Sequence, residues 1–250
     1  MLKMHKNILN LEESDFNRPI YRIFSKDRFM NLIRENKNGL VKPKLWDDPF
    51  ENFFLRCPVI DQNGELVSLE AISECWYGQC WTFNEDSDAM WRIYSASKDG
   101  IKVRSTVNRL FLHFYKNDEK TAHLKYFLGR VMYQKREEIE DFLKTTSFWA
   151  LAMGGQMDKF ARTLLMKRNE FSHENEVRLL FFDSDNKYNN DDVAQISFPV
   201  EDIIESIELD PRLEQTEFIK LKEEIQNIGF LKPISQSELY KFTPPPRKLS

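Results

Sequence analysis

The chain is poor in cysteine, with only Cys57, Cys75 and Cys80 among its 250 residues. Three cysteines at uneven spacing exclude a disulfide framework of the kind that holds small secreted domains together. No CxxC or HxxxH pair accompanies them, so the sequence also lacks the ligand pattern of a structural zinc site. We therefore predict that all three are buried free thiols.

Long apolar runs and an excess of basic charge are also missing. The N-terminal residues Met-Leu-Lys-Met-His-Lys lack the apolar core of a secretory signal, and no run approaches the length of a membrane span. The 36 basic and 40 acidic residues give a net charge of -4. A basic cluster from Lys159 to Arg168 is expected to form an ordinary solvated face. These features predict a cytoplasmic protein without membrane contact, in which any contact with nucleic acid is local.

Several catalytic and nucleotide-binding motifs are absent. No GxGxxG follows a predicted strand and no Walker A lysine loop occurs, so Rossmann and P-loop sites lack their motifs. The chain has four histidines, no GxSxG elbow and no cysteine paired in sequence with a histidine. A nucleophilic triad therefore has no support in the sequence.

The composition is that of a globular protein, because 41% hydrophobic and 13% aromatic residues are enough to fill a core. No internal repeat and no linker interrupts the chain. We predict one α+β domain over residues 19–241, preceded by an N-terminal extension (residues 1–18) and followed by a flexible Pro-rich tail (residues 242–250).

Local patterns predict the first elements. Pro19 to Phe24 reads as a strand, and Ser25 reads as the N-cap of a helix that continues up to Gly39. The other predicted elements are a helix over residues 70–77, strands over 78–83 and 100–104, mainly helical structure over 105–168 with a break at Gly154-Gly155, strands over 196–198 and 203–209, and a helix over 214–228 closed by Gly229.

Charged and apolar residues alternate between Phe171 and Phe182. In a strand, Glu174, Glu176 and Arg178 would share one face, while the large apolar residues between them would lie on the other. Such a pattern is typical of an edge strand whose charged face is solvated and self-paired. It also suits an enzyme that holds an acid at the mouth of a cleft, so other parts of the chain must decide between the two.

Short motifs elsewhere occur in the order found in one bacterial family. They are Tyr21-Arg22-x-x-Ser25, Leu45-Trp46-x-Asp48-Pro49-Phe50-Glu51, Cys80-Trp81-Thr82, Met90-Trp91-x-x-Tyr94, Gly100-Ile101, Phe171-x-x-Glu174-x-Glu176-x-Arg178, Asp210-Pro211 and Ser237-Glu-Leu-Tyr240. In this order, over residues 20 to 240, the chain resembles the family called domain of unknown function 2971.

That family is in turn similar to the ADP-ribosyltransferase superfamily. The resemblance implies an α+β fold with an ADP-ribosyltransferase-like split antiparallel β-sheet core and flanking helices. It also implies NAD as substrate, no metal, and a toxin or defence effector that modifies a macromolecule, either protein or nucleic acid. Such an effector would have an antitoxin or a defence-system protein as a partner.

The same resemblance assigns catalytic roles to two glutamates. Cleavage of the nicotinamide glycosidic bond passes through an oxocarbenium-like state, and Glu176 would stabilise its positive charge. Glu174 would orient the acceptor nucleophile or accept its proton. Arg178 would brace one of the two.

Five residues are candidates for binding the cofactor. Arg22, where relatives often have histidine, would hold the ribose or a phosphate, and the helix start at Ser25 would contribute to binding the pyrophosphate. Trp46, Trp91 and Tyr94 offer aromatic planes for the nicotinamide. Each has a structural alternative: Arg22 could pair with an acid, Ser25 could be a plain N-cap, and the aromatic residues could be core anchors.

Two further functions remain open from the sequence. Asp48, Glu51, Glu174 and Glu176 could gather around Mg²⁺ and, with Lys167 or Arg168, cut phosphodiesters as a nuclease does. Against a nuclease, the glutamate strand carries Arg178 in place of the lysine of an E-x-K pair. The other alternative is a non-catalytic sensor module that binds a nucleotide without turnover.

Overall fold

The computed structural model describes residues 6–48, 50–61, 63–117, 125–146, 157–188 and 191–246. Its strands are β1 (Ile8–Leu9), β2 (Pro19–Phe24), β3 (Lys37–Val41), β4 (Val59–Ile60), β5 (Leu66–Val67), β6 (Trp76–Thr82), β7 (Ile101–Thr106), β8 (Tyr126–Arg130), β9 (Met132–Gln134), β10 (Met166–Arg168), β11 (Glu176–Phe182), β12 (Val193–Ser197), β13 (Ser206–Leu209) and β14 (Ile234–Gln236).

The α-helices of these residues are α1 (Lys26–Glu35), α2 (Phe53–Arg56), α3 (Glu70–Ser73), α4 (Asp88–Tyr94), α5 (Val107–Asn117), α6 (Arg136–Thr145), α7 (Asp158–Thr163), α8 (Val200–Ile203) and α9 (Gln215–Asn227). Short 3₁₀ helices cover Glu13–Asp15, Pro43–Leu45 and Asn169–Glu174. The break predicted at Gly154-Gly155 lies outside the described residues.

The central sheet divides into two halves beside β6. Strand β6 pairs with β11 over seven residues, but on its other edge it meets β2 only at the pair Tyr21–Thr82 and β3 only at Val41–Gly78. Strands β2, β7, β13 and β14 continue the sheet beyond the first of these contacts. Among the described strands, none pairs with this edge of β6 from Gln79 to Trp81, and a cleft opens there.

Most strand pairs are antiparallel, while β1 pairs with β8, β13 with β14 and β9 with β10 in parallel. Helices flank the sheet, so the predicted α+β class with a split, mainly antiparallel sheet is confirmed. No helix of the described residues is both long and apolar enough to cross a membrane.

Strand β11 separates two hydrophobic cores because its side chains alternate between the faces of the sheet. Val177, Leu179 and Phe181 pack into the larger core, whereas Leu180 belongs to the second core on the opposite face. Glu176 and Arg178 share the second face with Leu180. Both charged side chains are nevertheless buried, so the alternative of a solvated edge strand is wrong for this segment.

Two predicted helices are shorter than expected. Helix α1 begins after Ser25 as predicted but ends at Glu35, because Asn36 adopts the left-handed conformation (φ 50°) that closes helices. Gly39, predicted to close the helix, lies inside β3. The helix predicted over 70–77 ends at Ser73, and Trp76 already belongs to β6, where its ring is fully buried.

The region predicted as mainly helical, residues 105–168, also contains strands β8, β9 and β10. Gly129 of β8 has a packing role there. A Cβ at this position would lie 2.2 Å from Cδ1 of Leu165, so glycine lets the segment after α7 approach the strand. The aromatic residues, leucine and methionines of these short strands resemble one face of a helix, and periodicity alone does not separate a short strand from a helix.

The predicted N-terminal extension contributes to the core. Strand β1 pairs with β8, and Leu9, Leu11 and Phe16 are buried. Residues 242–246 are exposed and lie outside regular secondary structure. The domain limits at residues 19 and 241 stay a prediction.

The three cysteines are free, as predicted, but their predicted burial is wrong. Cys57 is exposed and Cys75 and Cys80 are partly exposed. Cys57 follows the four-residue helix α2, where the chain leaves the second core.

Candidate active site

A cleft of about 700 Å³ lies in the split of the sheet. Its walls come from β2, β6 and α4, from the loop around Trp46 to Glu51, and from the 3₁₀ turn that precedes β11. This volume lies within the range of about 300–1,000 Å³ that is typical of small-molecule sites. Five of the seven predicted site residues line it together: Arg22, Trp46, Tyr94, Glu174 and Glu176.

Glu176 is fixed at the floor of the cleft by Arg178. Both Nε and Nη2 of Arg178 donate to Oε2 of Glu176, at 3.2 and 2.7 Å. The guanidinium is fully buried, donates to the carbonyl of Leu164 at 2.8 Å, and lies over the ring of Trp46 with its carbon 4.3 Å from the ring centre. These contacts leave Arg178 little freedom, so the carboxylate is held in one position before any ligand arrives.

Lys167 joins the carboxylates of this floor. Its Nζ lies 2.9 Å from Oε1 of Glu51, 2.5 Å from Oε2 of Glu174 and 3.6 Å from Oε2 of Glu176. Arg178 reaches Oε2 of Glu51 at 2.7 Å. We call Glu51, Lys167, Glu174, Glu176 and Arg178 the cleft-floor cluster.

The contacts within the cluster shift the pKa values of its members in different directions. Burial raises the pKa of Glu176, but Arg178 and Lys167 outweigh burial and hold the pKa below its ordinary value. For Glu174, burial dominates over Lys167, and its pKa is raised. Burial opposes the charge of Lys167, yet Glu176 and Glu51 raise its pKa above the ordinary value. The lowered pKa favours the anionic form of Glu176, while the raised pKa makes Glu174 the better proton acceptor.

Glu174 does not lie on the strand, in contrast to the prediction. It ends the 3₁₀ helix Asn169–Glu174, and Asn175 adopts a left-handed conformation (φ 45°) before β11 begins at Glu176. Thr82 fixes this turn by donating its hydroxyl to the carbonyl of Glu174 at 2.5 Å. The two glutamates still meet, because Lys167 lies between them.

Arg22 crosses the split of the sheet. Its Nη1 donates to the backbone carbonyl of Cys80, on the edge of β6 that lacks a strand partner. The thiol of Cys80 in turn hydrogen-bonds to Glu176, and burial followed by this glutamate raises the pKa of the thiol. Cys80 therefore connects the predicted phosphate- or ribose-binding arginine to the predicted catalytic glutamate.

The three predicted aromatic residues have different environments. Tyr94, at the end of α4, is 45% exposed and lines the cleft. Trp46 lines it while packing on β6 at Gly78, where a Cβ would lie 2.6 Å from the indole. Trp91 is 1% exposed and lies outside the lining of the cleft, as expected for a core anchor. Tyr94 and Trp46 can contact a ligand, and Trp91 holds α4 in place.

Ser25 does not reach the cleft. It occupies the N-cap position of α1, its side chain caps no backbone group, and it is absent from the lining. Arg28, one turn further along α1, is the residue of this helix that lines the cleft. Ser25 as an N-cap by position agrees with its structural alternative.

Several residues of the site were not among the candidates for an NAD site. Glu51 and Lys167 were candidates only for the alternative nuclease, and the basic cluster that contains Lys167 was expected to be solvated. Both residues are nevertheless about 95% buried in the cleft-floor cluster. Tyr133 accepts a hydrogen bond from the backbone nitrogen of Glu176 at 2.9 Å. For an NAD site, only the order of motifs could have indicated Glu51, and no sequence signal indicates Lys167 or Tyr133 in that role.

The acids proposed for a magnesium site have other partners. Asp48 forms a bidentate pair with Arg168 at 2.8 and 3.1 Å, and the three glutamates contact Lys167 or Arg178. Within the described part of the chain, no group of three His, Cys, Asp or Glu residues is arranged to hold a metal ion. Ammonium and guanidinium groups thus occupy the space between the carboxylates.

A family model matches the middle part of the chain. Residues 90–179 match the model described as "Protein of unknown function (DUF2971)". The matched segment includes Tyr94 on one wall of the cleft and Glu174, Glu176 and Arg178 on its floor. The search of curated proteins finds no match.

Three solved structures of DarT from Thermus sp. 2.9 are similar in broad arrangement, each at 14% sequence identity. The complex with carba-NAD+ aligns at a TM-score of 0.40 over 93% of this chain and 100% of that chain. The complex with NAD+ aligns at 0.37 over 90% and 98%, and the complex with ADP-ribosylated ssDNA at 0.38 over 90% and 97%.

Proposed function

We propose that the chain is an NAD-dependent ADP-ribosyltransferase that modifies a macromolecule, with Glu176 as its catalytic carboxylate. The observation that carries the proposal is the placement of a buried, braced glutamate on the floor of a cleft whose walls present Arg22 and Tyr94. An anion, a cation and an aromatic plane are what cleavage of a dinucleotide at its nicotinamide end requires. The motif order shared with ADP-ribosyltransferase-like proteins supports the same chemistry.

Glu176 and Glu174 act in different steps of the proposed reaction. The bond between the nicotinamide nitrogen and the ribose C1′ breaks, its electron pair leaves with neutral nicotinamide, and Glu176 stabilises the positive charge left on the ribose. The lone pair of the acceptor then forms the new bond to C1′. Glu174, with its raised pKa, takes the proton that the acceptor loses.

The remaining groups bind NAD. Arg22 would contact the ribose or a phosphate from β2, and Tyr94 and Trp46 would hold the nicotinamide. NAD is a substrate here, and the proposal includes no metal. The biological setting rests on the family resemblance alone: a cytoplasmic toxin or antiviral defence effector, with an antitoxin or another defence protein as its partner.

The test is to incubate the purified protein with NAD labelled in the adenylate part, with and without cell lysate. We expect release of free nicotinamide and transfer of label to a macromolecule, whose sensitivity to protease or nuclease identifies its class. Label transfer should disappear in the Glu176→Gln variant. Absence of both signals, together with Mg²⁺-dependent cleavage of nucleic acid, would favour the nuclease instead.

Binding of NAD without nicotinamide release or label transfer would contradict the enzymatic proposal in a different way. It would favour the sensor module, because the cleft would then recognise the dinucleotide without turnover. Calorimetry with NAD, run beside the labelling assay, separates these two outcomes.

A further inference from the structure

Glu51 is a third buried carboxylate at the floor of the cleft. It follows the Trp46 loop, and its side chain is 5% exposed. Its two oxygens have different partners: Oε1 accepts from Lys167 at 2.9 Å and Oε2 accepts from Arg178 at 2.7 Å. Glu51 is therefore bonded to the same two cations that hold Glu174 and Glu176.

The cleft-floor cluster contains more anions than cations. Three carboxylates face one ammonium and one guanidinium, which leaves one negative charge in excess. Among the described residues, no further cation pairs with these three carboxylates. Asp48 and Arg168 pair with each other, and Arg28 is exposed at the rim. Arg22 lies across the split on the carbonyl of Cys80, and its charge acts on Glu176 without forming an ion pair. Without Glu51, the cations and the remaining carboxylates would balance.

We propose that Glu51 is a specificity-determining residue, which makes the cleft select the oxidised dinucleotide, with its cationic nicotinamide ring, over the reduced form, with a neutral ring. This inference rests on the proposed function, because it requires a dinucleotide in the cleft. Glu51 acts through the charge of the cluster and through Arg178 and Lys167, so it is a positioning residue rather than a catalytic one.

Electrostatics gives the size of the effect. NAD+ and NADH have nearly the same shape and differ by one charge on the ring, so their relative affinity reports the local potential. At an effective dielectric constant of about 20, one unit charge roughly 8 Å away changes affinity by at least about tenfold. We therefore expect wild-type protein to bind NAD+ more tightly than NADH by about tenfold or more.

The experiment measures, by calorimetry, the dissociation constants of NAD+, NADH and ADP-ribose for the wild type and four variants. ADP-ribose lacks the nicotinamide ring, so its dissociation constant reports only the contacts with the rest of the cleft. Glu51→Gln should lower the preference for NAD+ over NADH about tenfold. Lys167→Met should raise it, because it removes a cation from the same cluster. The double variant should return to the wild-type preference, since its excess charge is again one.

Glu74→Gln is the matched control. It also removes one negative charge from a glutamate paired with lysines, Lys42 and Lys44, but Glu74 does not line the cleft. We expect it to leave the preference unchanged. Melting temperatures identify any variant that fails to fold. If either Glu51→Gln or Lys167→Met fails to fold, the other still tests the proposal, because each is expected to change the preference for NAD+ over NADH, in opposite directions.

Two failures can be told apart. If the wild type binds neither NAD+ nor ADP-ribose, the proposed function is wrong and the inference fails with it. If ADP-ribose and NAD+ bind, but the preference is the same in wild type, Glu51→Gln and Lys167→Met, the proposed function survives and the role of Glu51 is wrong. An equal change in Glu74→Gln would also overturn that role.

Discussion

Two buried charge clusters of this protein differ in what surrounds them. In the helix-end cluster, formed by Ser95, Asp210 and Arg212, the fully buried Asp210 accepts from Ser95 Oγ at 2.5 Å and from Arg212 Nε at 2.8 Å. Arg212 also donates to the carbonyls of Trp91 and Ser95 at the end of α4. The cleft-floor cluster has a comparable density of contacts but opens onto a cavity.

The difference lies in charge balance. The helix-end cluster has one anion and one cation, and it does not line the cleft. The cleft-floor cluster has an excess carboxylate facing a space large enough for a ligand. Buried charges are costly unless they are paired, so an imbalance is retained where a ligand completes it, whereas a balanced pair serves the fold. This comparison predicts that changes in the cleft-floor cluster alter activity and that changes in the helix-end cluster alter stability.

The largest effect is expected at Glu176. Glu176→Gln keeps the shape of the side chain and a hydrogen bond to Arg178 but removes the charge that stabilises the oxocarbenium-like state. We expect the rate of nicotinamide release to fall about a thousandfold. The measurement is single-turnover release from labelled NAD, with a thermal melt to show that the variant folds. A folded variant that keeps a tenth of the activity would break the distinction between the clusters.

A substitution in the helix-end cluster should lower the stability of the protein. Asp210→Asn leaves Arg212 without its anion, and we expect the free energy of unfolding to fall by about 3 kcal/mol. Burial raises the pKa of Asp210, but Arg212 and Ser95 outweigh it and the pKa is lowered. Its contribution should therefore be present above the unfolded pKa of aspartate and disappear as pH falls through the lower folded value.

Urea denaturation at neutral and acid pH measures this effect. The control is Asp88→Asn, which removes an exposed partner of Arg92 on the same helix and should change stability little. Equal destabilisation by the two substitutions, or a loss of NAD cleavage without loss of stability in Asp210→Asn, would contradict the assignment of this cluster to the fold.

The sequence predicted the parts of the molecule that depend on local signals. Strand β2, the start of α1 after Ser25 and the close of α9 at Gly229 follow from local signals, namely a short apolar segment, an N-cap residue and a glycine with φ +100°. It did not predict that Glu51 meets Lys167 and Arg178, because these contacts join residues 116 and 127 positions apart on different elements. Nor did alternation predict the left-handed Asn175, which removes Glu174 from the strand.

A smaller effect is expected from Glu174, which should appear in the pH dependence. Because burial raises its pKa, transfer to the acceptor should increase as pH rises through a value above the ordinary range of glutamate. Glu174→Gln should lower the rate of label transfer to the acceptor about a hundredfold and should remove this increase with pH. Hydrolysis of NAD to nicotinamide should continue, because Glu176 remains. The ratio of label transfer to nicotinamide release, measured across pH, tests this division, and an equal loss of both would contradict it.

The smallest effect concerns Tyr94, which joins the two clusters through helix α4. Its ring is 45% exposed at the cleft, whereas the end of its helix is held by Arg212. Tyr94→Ala should weaken NAD binding about fivefold, in the range of an aromatic contact, and Tyr94→Phe should keep it. ADP-ribose should bind all three proteins equally, because it lacks the nicotinamide. If Tyr94→Ala weakens the binding of ADP-ribose as much as the binding of NAD, Tyr94 does not contact the nicotinamide ring. It would then support the wall of the cleft, and its role would be structural, like that of the helix-end cluster.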